Sequence, residues 1–251
     1  MLKLSTLKPK QEVAIRSIQE NSIKPMGYPS VSVLICTLNE EKNIPYVLPK
    51  IPLWVDEILL VDGNSRDRTI EIAKQICPRV KVLYQPGKGK GNALKYGIQK
   101  ATGEIIVMMD ADGSTDPDEL LSFINPLVNG GYDFVKGSRF LPGGDSLDMP
   151  WYRRLGNKLF TLIIFALFGR YFTDLCYGYN AFWKNKYNLI ELRCDGFEIE
   201  TEMHVKTLKA NLNVLEVPSI EYRRIDGDGK LESIKDGWRI LRTIINERFR
   251  S

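Results

Sequence analysis

The segment Ile105-Ile106-Val107-Met108-Met109-Asp110-Ala111-Asp112-Gly113-Ser114 limits what this chain can fold into more than any other. Five successive apolar residues fit a strand buried on both faces, as in a parallel sheet. The run then stops on two carboxylates one residue apart, and charges are costly to bury unpaired. Asp110 and Asp112 therefore belong at the strand's mouth, where ligands of open α/β sheets bind. An acidic turn leading into a helix at Asp116-Pro117 would account for the same residues. The neighbouring segments decide between the two.

Three strand-like segments precede it, at Val31 to Cys36, Glu57 to Val61 and Val80 to Tyr84. Each is followed by polar residues and a helical stretch: one to about Leu48, one from Asp67 and Thr69 to Ile76, and one to Lys100. Asn64 or Ser65 would cap the second of these. Four strand–helix units in succession predict a parallel sheet with right-handed crossovers. Glu40, Asp62, the Gly87-Lys88-Gly89-Lys90-Gly91-Asn92 loop and Asp110/Asp112 all fall at strand exits, so they should meet in one crevice. Beyond it, Asp133 to Lys136, Tyr179 to Trp183 and Asn213 to Val217 read as strands. Trp151 to Phe172, Glu200 to Lys209 and Ile234 to Phe249 read as helices. Residues 1–29 form a polar lead-in with a helix-like patch at Gln11 to Glu20.

The 251 residues, 43% of them hydrophobic and 26% charged, suit one sizeable α/β domain. A net charge of +4 fits an anionic substrate or a membrane surface without arguing for nucleic acid. Cys36, Cys77, Cys176 and Cys194 show no metal-ligand spacing, which predicts reduced thiols and a cytoplasmic protein. No signal-peptide pattern opens the chain. The longest apolar run, Leu159 to Phe168, is too short to cross about 30 Å of hydrocarbon. Flanked by Arg153, Arg154, Lys158 and Arg170, it suits either a membrane interface or a buried or dimer-forming helix.

The glycine–lysine loop offers backbone N–H groups and ammonium groups to phosphate oxygens, although it matches neither a Walker A loop nor a dinucleotide fingerprint. The Asp-x-Asp pair suits Mg²⁺ or Mn²⁺ held by few carboxylates plus diphosphate oxygens. Arg139, Arg153, Arg154, Arg223, Arg224 and Lys230 supply cations. Glu198, Glu200 and Glu202 crowd a helix start, where the dipole alone would favour them; one of them could serve as a general base. His204, the only histidine, reads as structural, which leaves little for triad hydrolysis or His-ligated zinc.

Together these motifs resemble family-2 glycosyltransferases of the GT-A fold, and most closely the dolichyl- and polyprenyl-phosphate hexose synthases. The resemblance rests on Thr37-Leu38-Asn39-Glu40, Val61-Asp62-Gly63-Asn64-Ser65, Gly89-Lys90-Gly91-Asn92-Ala93, Asp110-Ala111-Asp112, Gly137-Ser138-Arg139, Asp174 to Gly178 and Arg224 to Leu231. It implies a Rossmann-like, mostly parallel sheet flanked by helices in a single domain over residues 30–251. Residues 30–116 would form the nucleotide-sugar half and 117–251 the acceptor half. It also implies that Thr37, Asn39, Glu40, Asp62, Lys90, Asp110 and Ala111 bind the donor, and that Asp110 and Asp112 hold Mg²⁺ or Mn²⁺. Arg139, Arg153, Arg154, Arg224 and Lys230 would surround the phosphates, and Asp112, Arg139, Glu200 and Glu202 would form the catalytic set. The chain departs from these relatives at Cys36, Leu38, Gly63, Ser114, Cys176-Tyr177-Gly178-Tyr179-Asn180 and Gly229.

The resemblance implies an inverting, metal-dependent transfer of a sugar from a nucleoside diphosphate to a polyprenyl phosphate. The departures fall at mannose synthase signatures and tilt the donor towards UDP over GDP. Three other readings stay open at this point: transfer to a hydroxyl acceptor with a glutamate base, nucleotide-sugar binding without turnover, and nucleotidyl transfer. Peripheral attachment to the cytoplasmic membrane face and homo-oligomerisation are compatible with all of them.

Overall fold

A computed structural model describes residue 24 and residues 26–230 and 232–250; the helix-like patch Gln11 to Glu20 lies outside the described residues. In chain order the strands are β1 Val31–Thr37, β2 Glu57–Asp62, β3 Val80–Tyr84, β4 Ile105–Asp110, β5 Phe134–Ser138, β6 Asp145–Ser146, β7 Asn180–Trp183, β8 Val214–Pro218 and β9 Ile220–Glu221. The helices are α1 Ile44–Val47, α2 Thr69–Ile76, α3 Lys90–Lys100, α4 Leu120–Asn129, α5 Trp151–Phe168, α6 Lys184–Tyr187, α7 Ile199–Lys209 and α8 Ser233–Phe249.

Seven strands form one sheet in the order β3-β2-β1-β4-β7-β5-β8, and β7 alone runs against its neighbours. The parallel core follows from the sequence. Val33, Ile35, Val107 and Met109 face one apolar cluster, whereas Leu34, Leu59, Ile106 and Met108 face another. Each strand is therefore buried on both faces, with side chains alternating at period two. Because β7 comes from the second half and pairs with β4, the two halves share one sheet. β6 and β9 make a small ladder beside it.

Local chemistry sets the helix ends. Asp116 accepts a hydrogen bond from the backbone N–H of Asp118, and Pro117 follows, as the acidic turn predicted. Two boundaries differ from expectation. Asn64 and Ser65 do not cap α2; Asp67 Oδ1 accepts from the N–H and hydroxyl of Thr69, while Ser65 turns back to Asp62. The helix expected to reach Phe172 ends at Phe168, because Gly169 takes the left-handed conformation (φ 68°) that closes helices.

Buried ion pairs tie the second half to the sheet edge. Lys136 on β5 is fully buried, with its ammonium 3.0 Å from Glu216 of β8 and hydrogen-bonded to the carbonyl of Asp174. Asp174, also fully buried, accepts from Arg139 Nε at 2.7 Å and Nη2 at 2.9 Å. Burial alone would raise the Asp174 pKa, but the Arg139 guanidinium outweighs it and holds the carboxyl below the ordinary aspartate range. Removing one member of a buried pair leaves the other charged and unmatched. Asp174→Ala should therefore destabilise the fold by about 3–5 kcal/mol, read as a lower denaturant midpoint at unchanged slope.

Candidate active site

At the carboxyl end of the sheet lies a cleft of about 570 Å³. Glu40, Lys90, Asp110, Ala111 and Asp112 line its floor, and Tyr152, Arg153 and Phe160 of α5 face Ile234 and Ile240 of α8 at the other end. The convergence of strand exits expected from the sequence is thus present for β1, the β3–α3 connection and β4.

The floor is organised around Lys90. Its ammonium sits 2.7 Å from Asp110 Oδ1 and 2.7 Å from Glu200 Oε1. Burial would depress the lysine pKa, but the two carboxylates outweigh it, so Lys90 stays charged well above its ordinary value. Burial raises the Glu200 pKa against the pull of Lys90. Gly178 closes this triad from one side: a Cβ there would lie 2.7 Å from Glu200 Oε1 and 3.0 Å from Lys90 Nζ. Burial also pushes the Cys36 thiol, which lines the same floor, up to about 12.

A second charged knot lies beside the first. Asp112 Oδ1 accepts from the Ser114 hydroxyl at 2.6 Å and its N–H at 3.0 Å, so Ser114 orients this carboxylate. Asp112 Oδ2 accepts from Arg224 Nη1 at 2.9 Å, and Arg224 Nη2 donates to Glu40. Lys230 lies 2.6 Å from the same Glu40 oxygen. The 222–230 segment is thereby strapped over the cleft. Its backbone holds Ser114 O through Tyr222 N and Asp112 O through Ile225 N, and Asn43 exchanges two hydrogen bonds with the backbone of Asp226. The resemblance placed these residues in one site, but not the direct pairing of Glu40 with Arg224, 184 positions away.

Several predicted residues do other work. Part of the glycine–lysine loop is spent on the protein's own groups: Gly91 N donates to Asp195 O at 2.8 Å and Gly87 N to Asn92 Oδ1 at 2.9 Å. Its glycines admit another stretch of backbone, since a Cβ on Gly91 would lie 2.5 Å from Cys194 O. All five N–H donors of Arg139 have partners: Asp174 takes two, Glu221 two and Cys176 O one. Arg139 therefore lines the cleft with no donor to spare for a phosphate in this conformation.

Glu202 is fully buried, accepts from the N–H groups of Arg193 and Cys194, and pairs with Lys206; it does not line the cleft. That geometry removes it as a base. Asp62 is buried with both carboxylate oxygens on Ser65, and Asn39 Oδ1 accepts from Arg66 N; neither lines the cleft. Arg154 turns to Asp145 and Ser146 O, away from the cleft. Arg153 stays at the wall, donating to Ser233 Oγ at 3.0 Å.

Thr37 lines the cleft with a buried hydroxyl that has no hydrogen-bond partner, as a ligand-facing group would. His204 is fully buried, with its ring nitrogens on Leu175 O and Asn180 Oδ1 and its pKa driven well below the ordinary value by burial. It is structural, as expected.

Among the described residues no three His, Cys, Asp or Glu side chains converge as a self-sufficient metal cage. The donor chemistry nevertheless suits a hard divalent cation held mainly by substrate oxygens, which needs only one or two protein carboxylates. Each aspartate already holds one protein cation, Asp110 Oδ1 that of Lys90 and Asp112 Oδ2 that of Arg224. A metal would take the second oxygen of Asp110 or replace Arg224 on Asp112.

The profile described as "Glycosyl transferase family 2" matches residues 32–189. A glycosyltransferase of Haloferax volcanii named AglJ is 34% identical over 217 residues, covering 83% of this chain and 68% of that protein. A UDP-N-acetylglucosamine–dolichyl-phosphate N-acetylglucosaminyltransferase of Methanococcus voltae is 30% identical, covering 84% of this chain and 94% of that protein. Among solved structures, glucosyl-3-phosphoglycerate synthase from Mycobacterium tuberculosis, with Mn²⁺, UDP-glucose and phosphoglyceric acid, superposes with a TM-score of 0.73. It is 21% identical and covers 92% of this chain and 83% of that one, a likeness of fold.

Gly91→Ala would raise helix propensity yet force the 194–195 backbone off the start of α3. A net loss of about 1–3 kcal/mol is expected in chemical denaturation. A neutral or stabilising result would show that the glycine is not there for this close approach.

Proposed function

This chain belongs to glycosyl transferase family 2, and from that premise we propose that it moves a hexose-type sugar, with inversion, from a nucleoside diphosphate to a polyprenyl or dolichyl phosphate. The observation that carries this reading is the two-ended cleft. Glu40, Asp112, Arg224 and Lys230 gather at one end, and Met149, Tyr152, Phe160, Ile234 and Ile240, with Arg153 and Asp236 among them, line the other. A phosphate headgroup on an apolar chain has the same two-ended chemistry.

In this reading the donor's diphosphate lies over Asp110 and Asp112, with Thr37 and Glu40 beside the nucleoside. Mg²⁺ or Mn²⁺, held by Asp112 and the diphosphate, would supply charge neutralisation for the leaving group. Arg224 and Lys230 stand close enough to Asp112 and Glu40 to pass from these carboxylates to phosphate oxygens. An acceptor phosphate oxygen forms the new bond to the anomeric carbon as the bond to the diphosphate breaks on the opposite face, and the nucleoside diphosphate leaves. A phosphate monoester is largely ionised near neutral pH, with its second pKa about 6, so no general base is required. The pairing of Glu200 with Lys90 suits such a base-free step.

The Methanococcus voltae relative is named for a UDP-sugar donor and a dolichyl-phosphate acceptor, which supports both halves of the proposal and favours UDP over GDP. A lipid acceptor places the work at a membrane surface. Peripheral attachment on the cytoplasmic face, where a nucleotide donor is found, is part of this reading; no helix among the described residues is long and apolar enough to cross a membrane.

The test is incubation with UDP- and GDP-sugars, a polyprenyl phosphate and Mg²⁺ or Mn²⁺, with products identified by mass. A lipid-linked sugar is expected, lost with a chelator and reduced about a hundredfold or more in Asp112→Asn. Activity confined to hydroxyl acceptors, and lowered by about a hundredfold or more in Glu200→Gln, would replace this reading with base-assisted hydroxyl transfer.

A further inference from the structure

Helices α5 and α8 each carry an apolar stripe on the side opposite the one they bury. On α5 the buried face is Asn157, Thr161 and Ile164, whereas Trp151, Leu155, Leu159 and Leu162 are 75%, 60%, 56% and 50% exposed. Their spacing of four, four and three places these residues in one line along the helix. On α8 the buried face includes Asp236, Ile240 and Ile244, while Ile234, Trp238 and Ile245 are 82%, 69% and 43% exposed. Their spacing of four and seven again makes one line. Folding demands the buried stripes, and nothing in the fold demands the exposed ones.

The two helices lie side by side and run in the same sense. Arg153 bonds Ser233 near their starts, and Phe160 lies against Gly237 one to two turns further on. The apolar end of the cleft opens between them, walled by Tyr152 and Phe160 on one side and Ile234 and Ile240 on the other.

The exposed charges within these helices are basic. Lys158 of α5 and Arg242 and Arg248 of α8 are exposed, Lys235 pairs with Glu232 just ahead of α8, and the two helices' only acids, Asp236 and Glu247, are buried. A second copy docked on this face by two-fold symmetry would set these basic residues against their own duplicates. A layer of anionic headgroups over hydrocarbon would match both the stripes and the charges.

We propose that α5 and α8 together form a docking face for an anionic bilayer, and that a lipid acceptor enters the cleft from the bilayer between them. The docking half stands on the geometry of the helices; the acceptor half rests on the proposed transfer to a lipid phosphate. The indoles of Trp151 and Trp238 sit in the interfacial region, with the basic side chains at headgroup level.

The experiment uses the full chain and vesicles of phosphatidylcholine, with or without phosphatidylglycerol. The protein should sediment with the anionic vesicles and not with the neutral ones, and salt should weaken the binding. Its tryptophan fluorescence should be quenched by brominated lipids in those vesicles, a measurement that needs no variant. Two double variants, Trp151→Glu with Trp238→Glu and Lys158→Glu with Arg242→Glu, change residues outside the cleft lining. Each should lower vesicle binding about tenfold or more at unchanged thermal midpoint. Each should also keep transfer to a short-chain, water-soluble prenyl phosphate in free solution while losing transfer to polyprenyl phosphate embedded in vesicles.

Equal binding to neutral and anionic vesicles, or full binding by the tryptophan variant, would overturn the proposal. So would a dimer in sedimentation velocity that the tryptophan variant abolishes, because the face would then belong to a second copy. If vesicle binding behaves as expected and no prenyl phosphate is glycosylated, the docking face stands and the proposed acceptor falls.

Discussion

One buried ammonium group holds the floor of this molecule together. Lys90 stands at the start of α3, Asp110 at the end of β4 and Glu200 at the start of α7, and the lysine bridges both acids. Without that cation, two carboxylates would share a low-dielectric site, and one would have to take up a proton. Such an arrangement is weak evidence of net stability, since desolvation offsets much of the attraction. It fixes geometry instead. Three elements from distant parts of the chain are locked in register, and Gly178 and Gly91 are the places where backbone passes close enough to allow it.

The second knot, Glu40 with Arg224, Lys230 and Asp112, has the opposite character. Its cations come from a segment outside the helices and strands, and they hold carboxylates that line the cleft. In the proposed reaction a divalent cation would compete with the Arg224 guanidinium for Asp112 Oδ2, which would couple donor binding to the 222–230 segment through that atom. The Lys90 knot packs against Gly178 and joins α3, β4 and α7. The cation on one carboxylate of the Asp-x-Asp pair thus comes from a helix, and the cation on the other from the 222–230 segment.

Much of this architecture was legible in the sequence. Continuous apolar runs ending in polar residues gave the parallel strands and their shared crevice, because a strand buried on both faces has no polar side to alternate. Short-range geometry misled in places. The Gly87 to Asn92 loop has the composition of a phosphate cradle, but composition cannot show that the Asp195 carbonyl already takes the Gly91 and Asn92 amides. Asp62 and Asn39 sit at the correct strand ends yet spend their oxygens elsewhere, Asp62 on Ser65 three residues on and Asn39 on Arg66 in the loop after β2. Arg139 and Glu202 fell to long-range partners, Asp174 and the 193–194 backbone, which no spacing rule connects to them. Motif position was informative; the state of each side chain depended on contacts made across the chain.

Helix α5 shows how one sequence can answer two requirements. The apolar run Leu159 to Phe168 was compatible with a core or dimer helix or with an interfacial one, and the structure divides the run residue by residue. Thr161 and Ile164 go to the core, while Leu159, Leu162 and Phe165 stay outside. At 3.6 residues per turn an apolar run of ten must reach both sides of a helix, so part of it is exposed unless something covers the outer face. A helix needed only for packing would carry polar residues there. This one, and α8 beside it, keep apolar and basic residues on the side facing away from the core, at the mouth of a cleft whose inner end is built from carboxylates. The outer stripes cost solubility and add nothing to the core, so their placement is explained by what approaches the cleft.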